Sequence, residues 1–311
     1  MSESTVYRPR RQATSQRLRV RGLDYHCLVW GELASATAER PLLLMTHGWM
    51  DIGASFQFVV DALAALEGDA RCIVAPDWRG FGASTMPEAT DSYWFPDYLG
   101  DLDAIGDELS PGMPFDLLGH SMGGNVVMGY AGVRPERMRK LINLEGFGMP
   151  ATKPLQAGKR LLQWLDELKT PQRLAPYADA QAVAARLVKN NPRLSADKAA
   201  WLATQWGELR SDGAWHLRAD PAHKRANPVL YRVDEVLATW QAISAPLLWL
   251  EGANTDMTQW WGDRYPRADF ESRLAVVRNV TRVTLDDCGH MLHHDQPQRV
   301  AEALRDFLAN A

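Results

Sequence analysis

Ser121 stands in the stretch Gly119-His120-Ser121-Met122-Gly123-Gly124. Phe115-Asp116-Leu117-Leu118 before it has the length and apolar character of a short strand, and Asn125 to Val133 after it reads as a buried helix. A serine on a tight strand-to-helix turn needs neighbours without side chains, so that strand and helix pack closely and the hydroxyl projects into a cleft. The first amides of the helix then point at developing negative charge. The chemistry to expect is attack of a serine on an acyl carbon. His120 is a poor base for it, because adjacent side chains on a tight turn diverge; this histidine is expected to be structural or to line the site.

A serine hydroxyl needs a base, and the segment Asp287-Cys288-Gly289-His290-Met291-Leu292-His293-His294-Asp295-Gln296-Pro297 offers one. It follows the last predicted strand and precedes the final helix, which places it above the carboxyl ends of the strands, where open α/β sheets build their sites. Gly289 lets the loop turn sharply and carry His290 to the nucleophile. The alternative is that His293 or His294 is the base and His290 is packing.

The elements that must position these residues are strands at Tyr25 to Trp30, Pro41 to Met45, Cys72 to Ala75, Phe115 to Leu118 and Leu141 to Leu144. Between them, Phe56 to Leu66 and Tyr98 to Leu109 carry apolar residues three and four apart, as amphipathic helices do. This alternation predicts an α/β fold, a doubly wound and mostly parallel sheet with helices on both faces. From Pro150 to Ala245 no strand pattern is found, and several helical stretches are broken by prolines. Strands resume at Leu247 to Leu250 and Val280 to Leu285, and Gln298 to Leu308 closes the chain as an amphipathic helix. The expected organisation is a flexible basic arm at 1–16, a core formed by 17–150 with 246–311, and an inserted helical cap at 151–245.

Four landmarks now stand in order: His47-Gly48-Trp49 after an early strand, Asp77-Trp78-Arg79-Gly80-Phe81-Gly82-Ala83-Ser84 after the next, the serine turn, and Gly289-His290 near the end. In these the chain resembles the α/β-hydrolase superfamily over nearly its whole length. The resemblance implies that His290 takes the proton of Ser121 and that the backbone amides of Trp49 and Met122 hold the oxyanion. His47 and Gly48 would shape that loop beside the substrate, and Asp77 and Arg79 would be structural. It also implies a carboxylate that orients His290. Most members supply it from the loop after the strand that follows the cap, here Glu251-Gly252-Ala253-Asn254-Thr255-Asp256, where Thr255 holds the usual place and Asp256 is shifted by one. The other place is the end of the preceding strand, where Glu145 resembles the triad glutamate of some haloalkane dehalogenases. Glu145 is slightly preferred over Asp256, with Glu251 third; a carboxylate at a strand end can also simply accept backbone hydrogen bonds.

The cap carries Trp164, Trp201, Trp206, Trp215 and Trp240, with Trp260 and Trp261 soon after it. Aromatic residues in such an insert more often form its own core than touch substrate, yet the composition favours an apolar or aromatic substrate group. Tyr93-Trp94-Phe95 would add to the same wall, whereas His223-Lys224-Arg225 reads as solvated surface. The expected function is carboxylic ester hydrolysis on a small hydrophobic substrate. Carbon–carbon bond hydrolysis, cofactor-free haloperoxidase or lyase chemistry, and a slow hydrolase-like receptor are the alternatives.

With 311 residues, 46% of them hydrophobic and 23% charged, the chain has an ordinary globular composition. A net charge of -4 gives no broad basic field, so no nucleic-acid partner is expected. Six arginines between Arg8 and Arg21, with no acidic residue among them, are read as part of a solvated arm. No apolar run long enough to span a membrane is present, so no membrane partner is expected. Three distant cysteines without paired spacing suggest a reduced, cytoplasmic protein. Neither cofactor nor metal is expected: the histidines form no spaced ligand motif, and neither His293-His294 nor Asp286-Asp287 matches one.

Overall fold

The computed structural model describes residues 6–88 and 90–309. In the first half, strands β1 (Thr14–Val20), β2 (Leu23–Trp30), β3 (Leu43–Thr46), β4 (Ile73–Pro76), β5 (Phe115–His120) and β6 (Met138–Leu144) alternate from β3 onward with helices α1 (Gln57–Glu67), α2 (Phe95–Leu109) and α3 (Met122–Val133). An insert follows, with α4 (Ala157–Leu168), α5 (Ala180–Asn190), α6 (Ala196–Trp206), the hairpin β7 (Gly207–Leu209) and β8 (Trp215–Leu217), and α7 (Val233–Gln241). The chain then completes the sheet with β9 (Leu247–Gly252) and β10 (Val280–Leu285), together with α8 (Thr258–Trp261), α9 (Arg267–Leu274), α10 (Leu292–Asp295) and α11 (Pro297–Ala309).

The large sheet runs β1-β2-β4-β3-β5-β6-β9-β10. Its first two pairings are antiparallel and the rest parallel. Both faces are covered, which is why the central strands read as unbroken apolar runs. Alternate residues serve opposite sides: Leu44, Leu117, Leu141 and Trp249 pack with Leu102 of α2, Val126 of α3 and Phe270 of α9. Leu43, Met45, Leu118, Ile142 and Leu250 pack with Val60 of α1 and Leu304 of α11. Strand order reverses at β3, since the chain leaves it for β4 on one side and returns to pair β5 on the other. The loops after β3 and β5 therefore face each other across the switch point, where open α/β sheets place ligands.

Two expectations are corrected. The segment expected to be a flexible arm at 1–16 is built into the fold over its described residues. Asp61 of α1 accepts the amides of Arg10 and Arg11, both at 2.8 Å, and the hydroxyl of Tyr7. The Arg11 guanidinium is buried on the carbonyls of Asp69 and Arg71 at 2.7 Å, and Thr14 already starts β1. Residues 1–5 lie outside the described residues. The insert also contains a hairpin, β7 with β8, where no strand pattern is found; three residues per strand are too few for period-two alternation to register.

Asp77 and Arg79, after β4, brace the loops around the switch point. Asp77 accepts the amides of Gly53 and Ala83 at 2.8 Å and contacts His26 Nδ1 at 2.8 Å. Arg79 donates to both oxygens of Asp101 on α2, at 2.6 and 2.7 Å, and Asp101 also accepts the Tyr25 hydroxyl. Breaking such a buried pair from one side strands the other charge. Asp101→Asn is expected to cost about 3 kcal/mol in urea denaturation, on the scale of buried pairs broken from one side; a loss too small to measure would show that Asp97, 3.1 Å from Arg79, carries the charge alone.

Candidate active site

Ser121 occupies the turn between β5 and α3 with φ of 52°, a left-handed value that a side chain adopts only under constraint. The constraint is close packing. A Cβ on Gly123 would lie 2.4 Å from the Thr46 carbonyl oxygen, and one on Gly119 would lie 2.4 Å from that of Gly123. With no side chains there, the first turn of α3 sits directly against the ends of β3 and β5. Ser121 N–H donates to Leu144 O at 2.9 Å, which ties the turn to β6.

His290 arrives from the loop between β10 and α10. That loop is pinned by Asn254 N–H on Cys288 O at 2.9 Å and by Gly289 N–H on Asp295 Oδ2 at 2.8 Å. The imidazole is half-buried and meets Trp260 edge-on at 4.5 Å. Its Nε2 lies 2.9 Å from Ser121 Oγ and its Nδ1 lies 2.7 Å from Glu145 Oε2. The carboxylate accepts, so Nδ1 carries the ring proton and Nε2 is left with the lone pair that accepts the serine hydroxyl. Glu145 itself, at the end of β6 with φ of 55°, is buried, and its Oε1 accepts Gly252 N–H at 2.7 Å.

Burial pushes the Glu145 carboxyl up from its ordinary range, against the pull of the Gly252 amide. Burial likewise pushes His290 down, opposed by the carboxylates of Asp51 and Asp295, which leaves a neutral imidazole able to accept a proton.

Glu145 thus takes the place beside the imidazole, and Asp256 does not. Asp256 is exposed and is turned to the start of α8, accepting Thr258 N–H at 2.9 Å and its hydroxyl at 2.6 Å. Glu251 faces away, paired with Arg267 at 2.6 Å.

Gly48 and Trp49 approach the serine from the β3 loop. A Cβ on Gly48 would lie 3.1 Å from Ser121 Cβ. Met122 begins α3, so its amide is among the helix's uncommitted donors. His47 was expected beside substrate, but it is fully buried and works behind the loop. Trp78 N–H donates to its Nε2 at 2.8 Å, so Nδ1–H donates to Gly48 O at 2.8 Å and holds the loop to the segment after β4. Trp94 is also displaced from its expected role: it packs edge-on against Trp164 at 5.7 Å beside a separate small cleft. His223, expected as solvated surface, is stacked between Phe81 and Tyr93.

A cavity of about 930 Å³ opens over Ser121 and His290, and it is walled by Trp49, Leu187, Trp206, Leu217, Trp260 and Met291. Among the described residues, the insert therefore brings Trp206 to the site while Trp240 is consumed by the core. Nothing in the sequence marks Asp51 or pairs His293 with it. The fold nonetheless gathers Asp51, His120 and His293, which share no motif spacing, into one buried group. They come from three segments, and only the shared switch point could have signalled it.

A family model described as the alpha/beta hydrolase fold matches residues 41–297. A serine hydrolase-like protein of Danio rerio is 26% identical over 96% of this chain and 89% of its own. The 3-hydroxybutyrate-oligomer hydrolase of Cupriavidus necator is 28% identical over 92% of each. The solved thioesterase domain from the curacin biosynthetic pathway superposes with a TM-score of 0.78 at 25% identity, covering 94% of this chain and 99% of that one. A doubly wound sheet with a strand–serine–helix turn at its switch point defines a hydrolase class. The chain belongs to the α/β-hydrolase family and is an enzyme of that type.

Gly123→Ala tests the close approach. The added methyl must displace the end of β3, and unfolding in urea is expected to show a loss of about 1–3 kcal/mol, the usual cost of overpacking. Wild-type stability in that variant would contradict the packing argument.

Proposed function

We propose that the protein is a serine hydrolase that cleaves a carboxylic ester of a small hydrophobic or aromatic substrate through an acyl-enzyme at Ser121. The observation that carries this is the unbroken line from Ser121 Oγ through His290 to Glu145, under a cavity of about 930 Å³. Ser121 Oγ attacks the carbonyl carbon as His290 Nε2 takes its proton. The negative charge that develops on the carbonyl oxygen is met by the amides of Trp49 and Met122. His290 then gives the proton to the departing alkoxide. Water, deprotonated by the same imidazole, cleaves the acyl-serine, and the proton returns to Ser121 as the acid leaves. Glu145 holds the tautomer and stabilises the imidazolium throughout.

The segment between β6 and β9 acts as a cap that selects substrate, with Trp206 and Leu217 on the cavity wall. The apolar share of that wall supports a hydrophobic acyl or alcohol group. Arg186, Arg193 and Lys224 line the same cavity, which favours an acyl part that ends in a carboxylate. A short hydroxyacid ester, of the sort the bacterial relative's name describes, fits both features.

We read the setting as cytoplasmic, with a small-molecule substrate and neither nucleic acid nor membrane as partner. Cys27, Cys72 and Cys288 are buried and unpaired, and among the described residues no helix is long and apolar enough to cross a membrane.

A reporter fluorophosphonate should label Ser121, as read by mass spectrometry, and Ser121→Ala should lose both labelling and ester turnover. Glu145→Gln should lower kcat by roughly 10³–10⁴-fold, the scale of removing a triad carboxylate, whereas Asp256→Asn should change it by less than about tenfold, since an exposed carboxylate bonded to Thr258 is out of reach of the imidazole. A folded protein that is neither labelled nor active on short and medium acyl esters overturns the proposal. For the hydroxyacid reading, Arg186→Gln with Arg193→Gln should raise KM for a carboxylate-ended ester and not for its neutral counterpart.

A further inference from the structure

Beside the serine and the imidazole, the structure gathers polar atoms that the proposed hydrolysis does not use. Asp51 Oδ2, His120 Nδ1 and both ring nitrogens of His293 have no hydrogen-bond partner among the described residues. Their residues are 4%, 2% and 0% exposed. A buried polar atom without a partner costs about 1–3 kcal/mol, so several in one place call for an occupant.

Their chemistry can be read from the contacts around them. His120 Nε2 lies 2.8 Å from the carbonyl oxygen of His290. A carbonyl only accepts, so Nε2 carries the proton and the bare lone pair sits on Nδ1, aimed into the cluster. A ring nitrogen that donates to a backbone carbonyl while its partner nitrogen is left bare is the arrangement of a metal-ligating histidine. Asp51 Oδ1 is committed to Ile52 N–H at 2.8 Å and to the Ser55 hydroxyl, which leaves Oδ2 free. No lysine or arginine among the described residues pairs with that carboxylate; its ionic neighbour is His293 Nε2 at 3.7 Å. That separation is too long for a hydrogen bond, yet it is close to the ligand-to-ligand edge of about 3.4 Å that bonds near 2.1 Å give in a tetrahedron.

We propose that Asp51, His120 and His293 form a buried binding site for a divalent transition metal of the zinc type. One ligand atom from each lies within 4.8 Å of the others. Two imidazoles and one carboxylate suit zinc, cobalt or nickel, and are the wrong donors for magnesium or calcium, which take oxygen. Asp51 and His120 also line the large cavity, which supplies an entry path. The metal would join three loops: the one that carries Trp49, the serine turn, and the one that carries His290. This inference stands on the cluster alone and does not depend on the serine-hydrolase reading.

The test uses full-length protein stripped with a chelator and titrated with Zn²⁺ or Co²⁺. One equivalent should bind per chain, raise Tm, and give Co²⁺ the visible spectrum of a tetrahedral site. X-ray absorption of the Zn²⁺ form should show two imidazoles in a mixed nitrogen and oxygen shell. Asp51→Asn keeps an oxygen for Ile52 and Ser55 and removes the ligand atom; with His293→Gln it should weaken binding on the order of 100-fold or more, since even outer-sphere changes cost 10–100-fold. His216→Gln, at the exposed His216–Asp212 pair, should leave binding intact. No uptake by wild-type protein, an octahedral Co²⁺ spectrum, a shell without two imidazoles, or binding undiminished in folded Asp51→Asn would each overturn the site and leave the cluster to ordered water. The wild-type spectra decide even where a variant fails to fold.

Discussion

How closely α3 can approach the ends of β3 and β5 is the constraint on which the rest of the site depends. Gly119 and Gly123 put backbone against backbone where any side chain would intrude, and this holds Ser121 at φ of 52° with its hydroxyl clear of the sheet. The same approach places the start of α3 beside the loop that follows β3, so the Trp49 segment and the Met122 amide arrive at one point. Separating them by the width of a methyl would spoil the elbow and the proposed oxyanion pocket together. The strain at Ser121 is met by packing elsewhere: Leu118 and Met45 on one face, Leu117 and Val126 on the other.

Polar work is distributed so that each loop is fixed from behind. His47 holds the β3 loop by its own ring proton, Asp77 and Arg79 anchor the turn after β4, and Asp295 holds Gly289. Asp295 does this while lining the cavity. Asp51 likewise serves both sides, since one carboxylate oxygen builds the loop while the other is left bare against His120 and His293. The loop that carries Trp49 is therefore continuous with the buried cluster.

The strands were legible because parallel sheet covered on both faces writes itself as short apolar runs, and the serine turn was legible because its glycines are required by contact. Which carboxylate lies beside His290 was not, because Glu145 and Asp256 both follow strands that end at the same edge. Only the pairing of β6 with β9 shows that Glu145 reaches Gly252 and the imidazole while Asp256 turns out to Thr258 at the start of α8. The basic segment misled for a related reason. Its arginines look solvated until α1 supplies Asp61 and the β1–β2 pairing absorbs Thr14 onward. Trp94 and His47 carry the right residue types for a binding wall, but their partners, Trp164 and Trp78, lie far enough along the chain that spacing says nothing of them.

One serine, one imidazole and one glutamate are proposed to act in line, and a crystal structure of the phosphonate adduct is the direct test. Phosphorus is expected on Ser121 Oγ, with its free oxygen within hydrogen-bond reach of the Trp49 and Met122 amides and His290 still bonded to Glu145. Phosphorus on another residue, or an adduct on Ser121 with His290 turned from Glu145 to Asp256, would contradict it.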